Sequence, residues 1–300
     1  VARAVSAHRL WEAGARVAVA VSGGRDSVVL LDLLLASRGL HGGELSVVTV
    51  DHGTRSGSDE DAAFVEALAA SCGLSCVRFD RSLGAQASEQ ACRDARYASF
   101  ETLDVDVIAL AHHARDQVET ALLGWMRGSG TLGMAGMAHK RGRYVRPLLE
   151  LQPSALAAWA ETRGLAWRED PSNQSDRFAR NRIRHEVLPL LEAIRPGAVR
   201  AMARGVAHAA EDARHLDALA VGAAPWPTSE VAWGPPAIVR RQLARGLPGA
   251  RSTHLDAIVA AARRGRGIVE LSPSVHVMVD DVWVRIKSGV DRVRRTDPAS

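Results

Sequence analysis

The sequence predicts an α/β protein: a parallel sheet covered on both faces, then a helical segment, then a small α+β unit. Three observations carry that prediction. Short apolar runs alternate with helix-length segments as far as Ala109, the period turns helical after Leu149, and three β-rich runs near the end are separated by turn residues.

Each element follows in order. Arg16 to Val21 is an apolar strand, and Ser22-Gly23-Gly24-Arg25-Asp26-Ser27 is the turn into an apolar helix from about Val28 to Ser37. Leu45 to Val50 is a second strand. A helix through Glu60 to Cys72 precedes a third strand at Ser75 to Phe79, and a helix around Ser88 to Leu103 leads to a fourth at Val105 to Ala109. Strands joined by helical crossovers pair in parallel, which makes the sheet Rossmann-like. After Arg146-Pro147-Leu148-Leu149, helices are expected at Ser154 to Arg163, Arg177 to Leu191 and Pro196 to Leu219. The breaker-rich stretch Gly222 to Ser229 reads as a linker or domain entrance. Beyond it come helices near Pro236 to Leu247 and Ser252 to Arg263, then Ile268 to Leu271, Val275 to Val279 and Val282 to Ile286 as an antiparallel meander. Domains are therefore expected at 1–220 and 221–300, with a fraying tail after Ser288.

Composition excludes several classes. With 300 residues, 47% hydrophobic and 24% charged, the chain is neither disordered nor a membrane bundle. Its longest apolar run, Val28 to Ala36, is broken by Asp32 and is too short to span a bilayer. Without a signal-type apolar segment and with three cysteines, a cytoplasmic location and no membrane partner are expected. The net charge of +4 hides a division: seven arginines face two glutamates in 177–204, seven face one aspartate in 239–266, and the remainder is acidic. Those basic stretches suit a polyanion. The lysines are Lys140 and Lys287 alone, and neither lies in a Walker A frame, so any nucleotide site is built otherwise.

Ser22 to Ser27 is the most informative segment. Glycines at a strand-to-helix turn let backbone N–H groups approach a phosphate, and the helix start adds a favourable dipole. Ser22 and Ser27 can add hydroxyl donors. Asp26 would repel phosphate there, so it makes best sense as a ligand for Mg²⁺ accompanying ATP; the plainer alternative is a glycine turn whose Asp and Ser cap the helix. Asp51 and His52 end the second strand, where an open parallel sheet has its crevice. If a helix follows the fourth strand, Asp116 and Glu119 share one face of it near His113; otherwise they are acids enriched at a helix start. His112 and His113 do not make a metal site, since adjacent residues point apart, and no metal besides Mg²⁺ is expected. Arg93 and Arg96, with Tyr97, share a helical face that grips phosphates or is merely solvated. Arg180, Arg182 and Arg184 form a dense basic run that suits an RNA backbone or surface ion pairs. Cys72, Cys76 and Cys92 are expected to be small buried apolar side chains.

S-G-G-x-D-S after the first strand resembles the PP-loop ATP pyrophosphatases. That signature alone leaves GMP, NAD and asparagine synthetases, tRNA thiolases and lysidine synthetases open. Further blocks decide: Val50-Asp51-His52-Gly53, Glu89 to Tyr97, Ala111 to Thr120, Arg127-Gly128-Ser129-Gly130, Gly133 to Met137, Arg146 to Leu149, Asp170-Pro171-Ser172-Asn173 and Phe178 to His185. In this order, across the first two thirds of the chain, they resemble the tRNA(Ile)-lysidine synthetase family, and the remainder is similar to the short C-terminal domain of its compact members. The resemblance implies ATP-dependent ligation of free L-lysine to the wobble cytidine of the CAU anticodon of tRNA(Ile), through an adenylated cytidine. It implies ATP contacts at Ser22 to Ser27, Asp51 and His52, Mg²⁺ at Asp26, and catalytic roles for Asp26, His113, Asp116 and Glu119. Arg93, Arg96, Arg180, Arg182 and Arg184 would meet tRNA or phosphate; a homodimer is left open. Arg115 stands where that family usually has Asp, which unsettles which carboxylate serves lysine. The rivals are a tRNA cytidine thiolase, which would need a cysteine, and a non-catalytic nucleotide- or RNA-binding module.

Overall fold

The structure, a computed structural model, describes residues 1–54, 57–169 and 179–288. The block 170–173, Phe178 and the tail after Ser288, including its expected fraying, lie outside the described residues. The chain divides into two compact units, Val1–Ala210 and Glu211–Ser300. That division falls inside a helix, whereas the sequence suggested a break after it.

In the first unit, α1 (Ala2–Ala7) precedes β1 (Arg16–Ala20), α2 (Arg25–Ala36), α3 (Arg38–His41), β2 (Glu44–Asp51), α4 (Ser58–Ser71), β3 (Cys76–Asp80) and α5 (Glu89–Glu101). Then come β4 (Val107–Ala109), α6 (Ala114–Met126), α7 (Thr131–Met134), a hairpin of β5 (Lys140–Arg141) and β6 (Tyr144–Val145), and α8 (Pro153–Thr162). After the undescribed stretch, α9 (Ala179–Arg182) runs through a π-helical turn (Ile183–Val187) into α10 (Leu188–Ile194), and α11 (Ala198–Leu219) follows.

The sheet order is β3-β2-β1-β4-β6-β5, parallel throughout except for the β5–β6 hairpin. Strand period places Val17 and Val19 of β1 in one core with Leu30, Leu31 and Leu34 of α2, Val65 of α4 and Leu156 of α8, while Ala18 joins Val48, Ile108 and Phe100 of α5 in another. Two covered faces explain why the strands read as continuous apolar runs rather than alternating ones. Each fully buried leucine contributes about 1.5–3 kcal/mol. Asp32, which interrupts the apolar run of α2, is accounted for by α8: its carboxylate accepts from the Trp159 indole at 2.8 Å and lies 3.3 Å from the Arg163 guanidinium.

Strand order reverses at β1 and β4, so their C-terminal ends open a crevice at the topological switch point. The glycine turn follows β1 and the two histidines follow β4.

In the second unit, β7 (Trp226–Pro227), α12 (Thr228–Trp233), α13 (Pro236–Gly246) and α14 (Ser252–Arg263) precede β8 (Gly267–Ser272), β9 (Val275–Val279) and β10 (Trp283–Ser288). The antiparallel order is β7-β10-β9-β8. One reading is corrected here: the breaker-rich stretch contains a strand, because Trp226 pairs with Val284 and is buried among Leu243, Ile258 and Val277. The cysteines are also corrected. All three are free and only half-buried. Burial still pushes the Cys76 thiol up to about 11, with Glu66 adding to it, so it is a poor thiolate. Among the described residues no helix is long and apolar enough to cross a membrane.

Candidate active site

The turn after β1 is shaped by Gly23, whose φ of +82° is one that L side chains rarely adopt. Its carbonyl accepts from the Arg168 N–H at 2.9 Å, fixing the turn from the far side. Ser27 closes it: its hydroxyl donates to the Gly24 carbonyl at 2.8 Å and receives the Ser22 N–H at 3.1 Å. Helix α2 begins at Arg25, earlier than the period suggested, and its first N–H groups are donors without partners in their own helix. The turn is therefore a cradle for an anion.

Asp26 lies in the first turn of α2, with its side chain 30% exposed. Burial opposes its ionisation. The hydrogen bond and charge of His113, 3.4 Å away, and the Arg25 guanidinium at 3.3 Å outweigh burial and hold the carboxyl below its usual range.

His113 is the hinge between two groups of acids. It sits at the N-terminus of α6 and is 2% exposed; its N–H donates to Asp116 Oδ2 at 2.9 Å, and its Nδ1 lies 3.3 Å from the same oxygen. Asp116 and Glu119 do share a face of α6. For Asp116 burial again opposes the charged form, but His113 and Arg180 overcome it and lower the pKa to about 2. Glu119 is completely buried yet fully partnered: Arg180 Nε donates to Oε2 at 2.7 Å and Arg184 Nε to Oε1 at 2.7 Å. Arg180 and Arg184 also reach Asp116 Oδ1, at 2.8 and 3.2 Å.

The structure thus brings Asp26, His113, Asp116 and Glu119 together and adds Arg180 and Arg184 to them. Of the three arginines in the basic run, these two are turned inward with side chains 21% exposed, whereas Arg182 is 62% exposed and pairs with Glu186 one turn on. The sequence showed the density of positive charge but not its counterions. Arg115 lies along α6 with Nε 3.7 Å from Glu119 Oε1, so this departure adds a third cation to the same acid. Asp51 closes its own loop by accepting from the Gly53 N–H at 2.8 Å, and burial together with Arg96 lowers the pKa of His52. Arg93 and Arg96 are exposed on α5, with the Arg93 guanidinium 5.0 Å from the Tyr97 ring centre.

Comparison with known proteins adds to this geometry. A family model described as the PP-loop domain matches residues 3–191. The chain is 38% identical to the tRNA(Ile)-lysidine synthase of Solibacter usitatus over 92% of its own length and 68% of that protein. It is 41% identical to the enzyme of that name from Thermobifida fusca, over 83% of this chain and 78% of the relative. The chain belongs to the tRNA(Ile)-lysidine synthase family. It spans about half of some longer relatives, 48% of the Geobacter sulfurreducens tRNA(Ile)-lysidine synthase, to which it is 42% identical over 71% of its own length. A solved U34-tRNA thiolase from Methanococcus maripaludis shares the fold, with a TM-score of 0.54, 19% identity, and coverage of 70% of this chain and 77% of that one.

Within the lysidine synthase family frame, two features escaped the sequence reading. Gln117, beside Asp116, clamps a distant loop: its amide donates to the Met137 carbonyl at 2.9 Å and accepts the Met137 N–H at 2.6 Å. The glycine-rich block 133–137 was the available signal. The protonation state of His112, which the sequence reading took up only as a metal ligand and set aside, is the other. Burial pushes its pKa down to about 3, so it is a neutral imidazole beside the acids.

Proposed function

We propose that this chain joins free L-lysine to C2 of the wobble cytidine in the CAU anticodon of tRNA(Ile), at the expense of ATP. One observation carries the reading: His113 touches Asp26 on the anion-cradle side and Asp116 on the other, so groups suited to two successive steps share one crevice.

The residues present fit ATP. The backbone N–H groups around Gly23, the Ser22 hydroxyl and the start of α2 offer donors to its phosphates, with Asp51 and His52 at the neighbouring strand end. Asp26, ionised and partly exposed, fits Mg²⁺, which supplies charge neutralisation for the departing pyrophosphate. In the first step the cytidine O2 attacks the α-phosphorus and pyrophosphate leaves. In the second, lysine's ε-nitrogen forms a bond to C2, the C–O bond to AMP breaks, and the nitrogen gives up two of its three ammonium protons, finally to solvent, and keeps one N–H. An ε-ammonium with a pKa of about 10.4 must first be oriented and discharged. Asp116 is too acidic to keep such a proton, so its part is orientation, and Glu119 lies on the same face. Arg93, Arg96 and Arg182 remain exposed for the tRNA backbone. The second unit, with Arg240, Arg263, Arg264 and Arg266, helps to seat the tRNA.

A thiolase reading gains little support from half-buried cysteines, one of them with a raised pKa. The test is incubation with ATP, Mg²⁺, labelled lysine and CAU-anticodon tRNA(Ile). Label entering tRNA with release of AMP and pyrophosphate is expected; sulfur incorporation or no turnover defeats the proposal.

A further inference from the structure

Away from the crevice, three side chains from separate parts of the first unit converge. His8 follows α1, His139 precedes β5, and Glu150 follows the Arg146 to Leu149 turn. His8 Nε2 lies 2.9 Å and His139 Nε2 3.2 Å from the same oxygen, Glu150 Oε1. All three ligand atoms fall within 4.8 Å of one another. We propose that His8, His139 and Glu150 bind a divalent transition-metal ion of the zinc class, with water completing the shell.

The spacing supports this. Tetrahedral zinc with ligand bonds of about 2.0–2.1 Å sets its donor atoms about 3.3 Å apart. Both nitrogen-to-oxygen separations are close to that figure, so an ion replaces the two histidine–carboxylate contacts with small movements. The imidazoles are stacked, with centres 3.5 Å apart and planes inclined by 16°. Histidine χ2 is soft, and turning one ring aims both lone pairs at one point.

Surroundings decide the metal's class. His8 and Glu150 border a surface cavity of about 510 Å³, also lined by Arg3, Ala4, Ala7 and Pro147, which gives an ion a path from solvent. With Arg3 there, charge alone does not draw a cation in. Imidazole donation must do so, and that selects zinc-like ions over Mg²⁺ or Ca²⁺. The ion would staple α1 to the turn after β6. It would also brace the segment between Met137 and β5, because the Arg146 N–H donates to the His139 carbonyl at 2.9 Å and Arg146 Nη1 to the Ala138 carbonyl at 2.8 Å. The Gln117 clamp on Met137 carries that brace to α6.

The experiment is calorimetric titration of tag-free protein with Zn²⁺, alongside Co²⁺ absorption spectra. One ion per chain is expected, with tetrahedral Co²⁺ bands. His8→Gln, His139→Gln and Glu150→Gln should each weaken binding at least about tenfold, since even residues behind the ligands cost that much. Each variant should retain ATP binding, which reports that it is folded. Zinc binding unchanged in His139→Gln and His8→Gln, or no binding at micromolar Zn²⁺ by the unsubstituted protein, overturns the proposal. If a variant fails to fold, the Co²⁺ spectrum of the unsubstituted chain decides: octahedral, oxygen-only bands refute the site.

Discussion

The two acidic halves of the crevice are held in opposite ways. Asp26 is partly exposed and meets His113 and Arg25 only at 3.3–3.4 Å, so a ligand can compete for its oxygens. Glu119 is completely buried and takes hydrogen bonds of 2.7 Å from both Arg180 and Arg184, which also hold Asp116. The cradle half is open to its ligand. In the other half two guanidiniums already occupy the acids, so on the proposed function an incoming ammonium must exchange with one of them. The π-helical turn beginning at Ile183, which carries Arg184, is an irregularity of the kind that accommodates such a shift.

The largest effect should come from the open half. Asp26→Ala is expected to reduce pyrophosphate release to background, while its melting temperature stays close to that of the parent, since Asp26 makes only long contacts. A release assay beside a thermal melt checks both. Retained release would break the comparison by showing that Asp26 does not serve the phosphate end.

Glu119→Gln reverses that balance. Removing one member of a buried pair leaves guanidiniums without their counterion, which costs about 3–5 kcal/mol. Denaturant unfolding should show that loss, and in whatever protein folds the lysine step should suffer more than pyrophosphate release. Equal loss of both partial reactions refutes the division of labour between the halves.

Acid should separate the halves next. Asp116 has its pKa depressed to about 2, below its unfolded value of about 3.9, so its contribution is present above pH 4 and is lost as pH falls through about 2. The amount is on the order of 2 kcal/mol. Circular dichroism between pH 4 and 2 should follow it, and Asp116→Asn should flatten that part of the curve. An unchanged curve means that His113 and Arg180 do not hold the Asp116 carboxylate in its charged form.

What the sequence revealed of this contrast depended on distance along the chain. Asp26, Ser22 and Ser27 lie within one turn, and Asp116, Glu119 and His113 within another, so motif and helical period were enough to find them. The lock was not legible: Arg180 is 64 residues from Asp116, and a run of arginines discloses its sign but not its partner. The same holds for His8 and Glu150, 142 residues apart. The parallel pairing was readable because helical segments join successive strands, though the strand order was not. Two-residue strands such as β5, β6 and β7 carry no period, and the prolines around Trp226 outweighed its apolar signal.

Gly23→Ala probes the cradle's backbone. A side chain at φ +82° costs about 1–2 kcal/mol, and its Cβ would have ordinary contacts with Phe64, Val65 and Arg168, so the strain is conformational rather than steric. A raised KM for ATP with an intact Glu119 cluster is expected. A KM unchanged from the parent would show that the turn need not keep this shape to hold phosphates.

The smallest change in stability should come from Arg182→Ala, and that contrast is its use. The Arg182–Glu186 pair is exposed and joins residues one helical turn apart, so it is worth about 0.3–0.5 kcal/mol at most. Its neighbours two residues to either side are bound to buried acids. If Arg182 meets a tRNA phosphate, its loss should weaken binding alike for every tRNA and lower the slope of log affinity against log salt by about 1. Arg180→Ala should instead destabilise the fold before it alters that slope. A slope that falls for Arg180→Ala and not for Arg182→Ala would mean that the lock opens when tRNA binds and that the inward arginine is the phosphate contact after all.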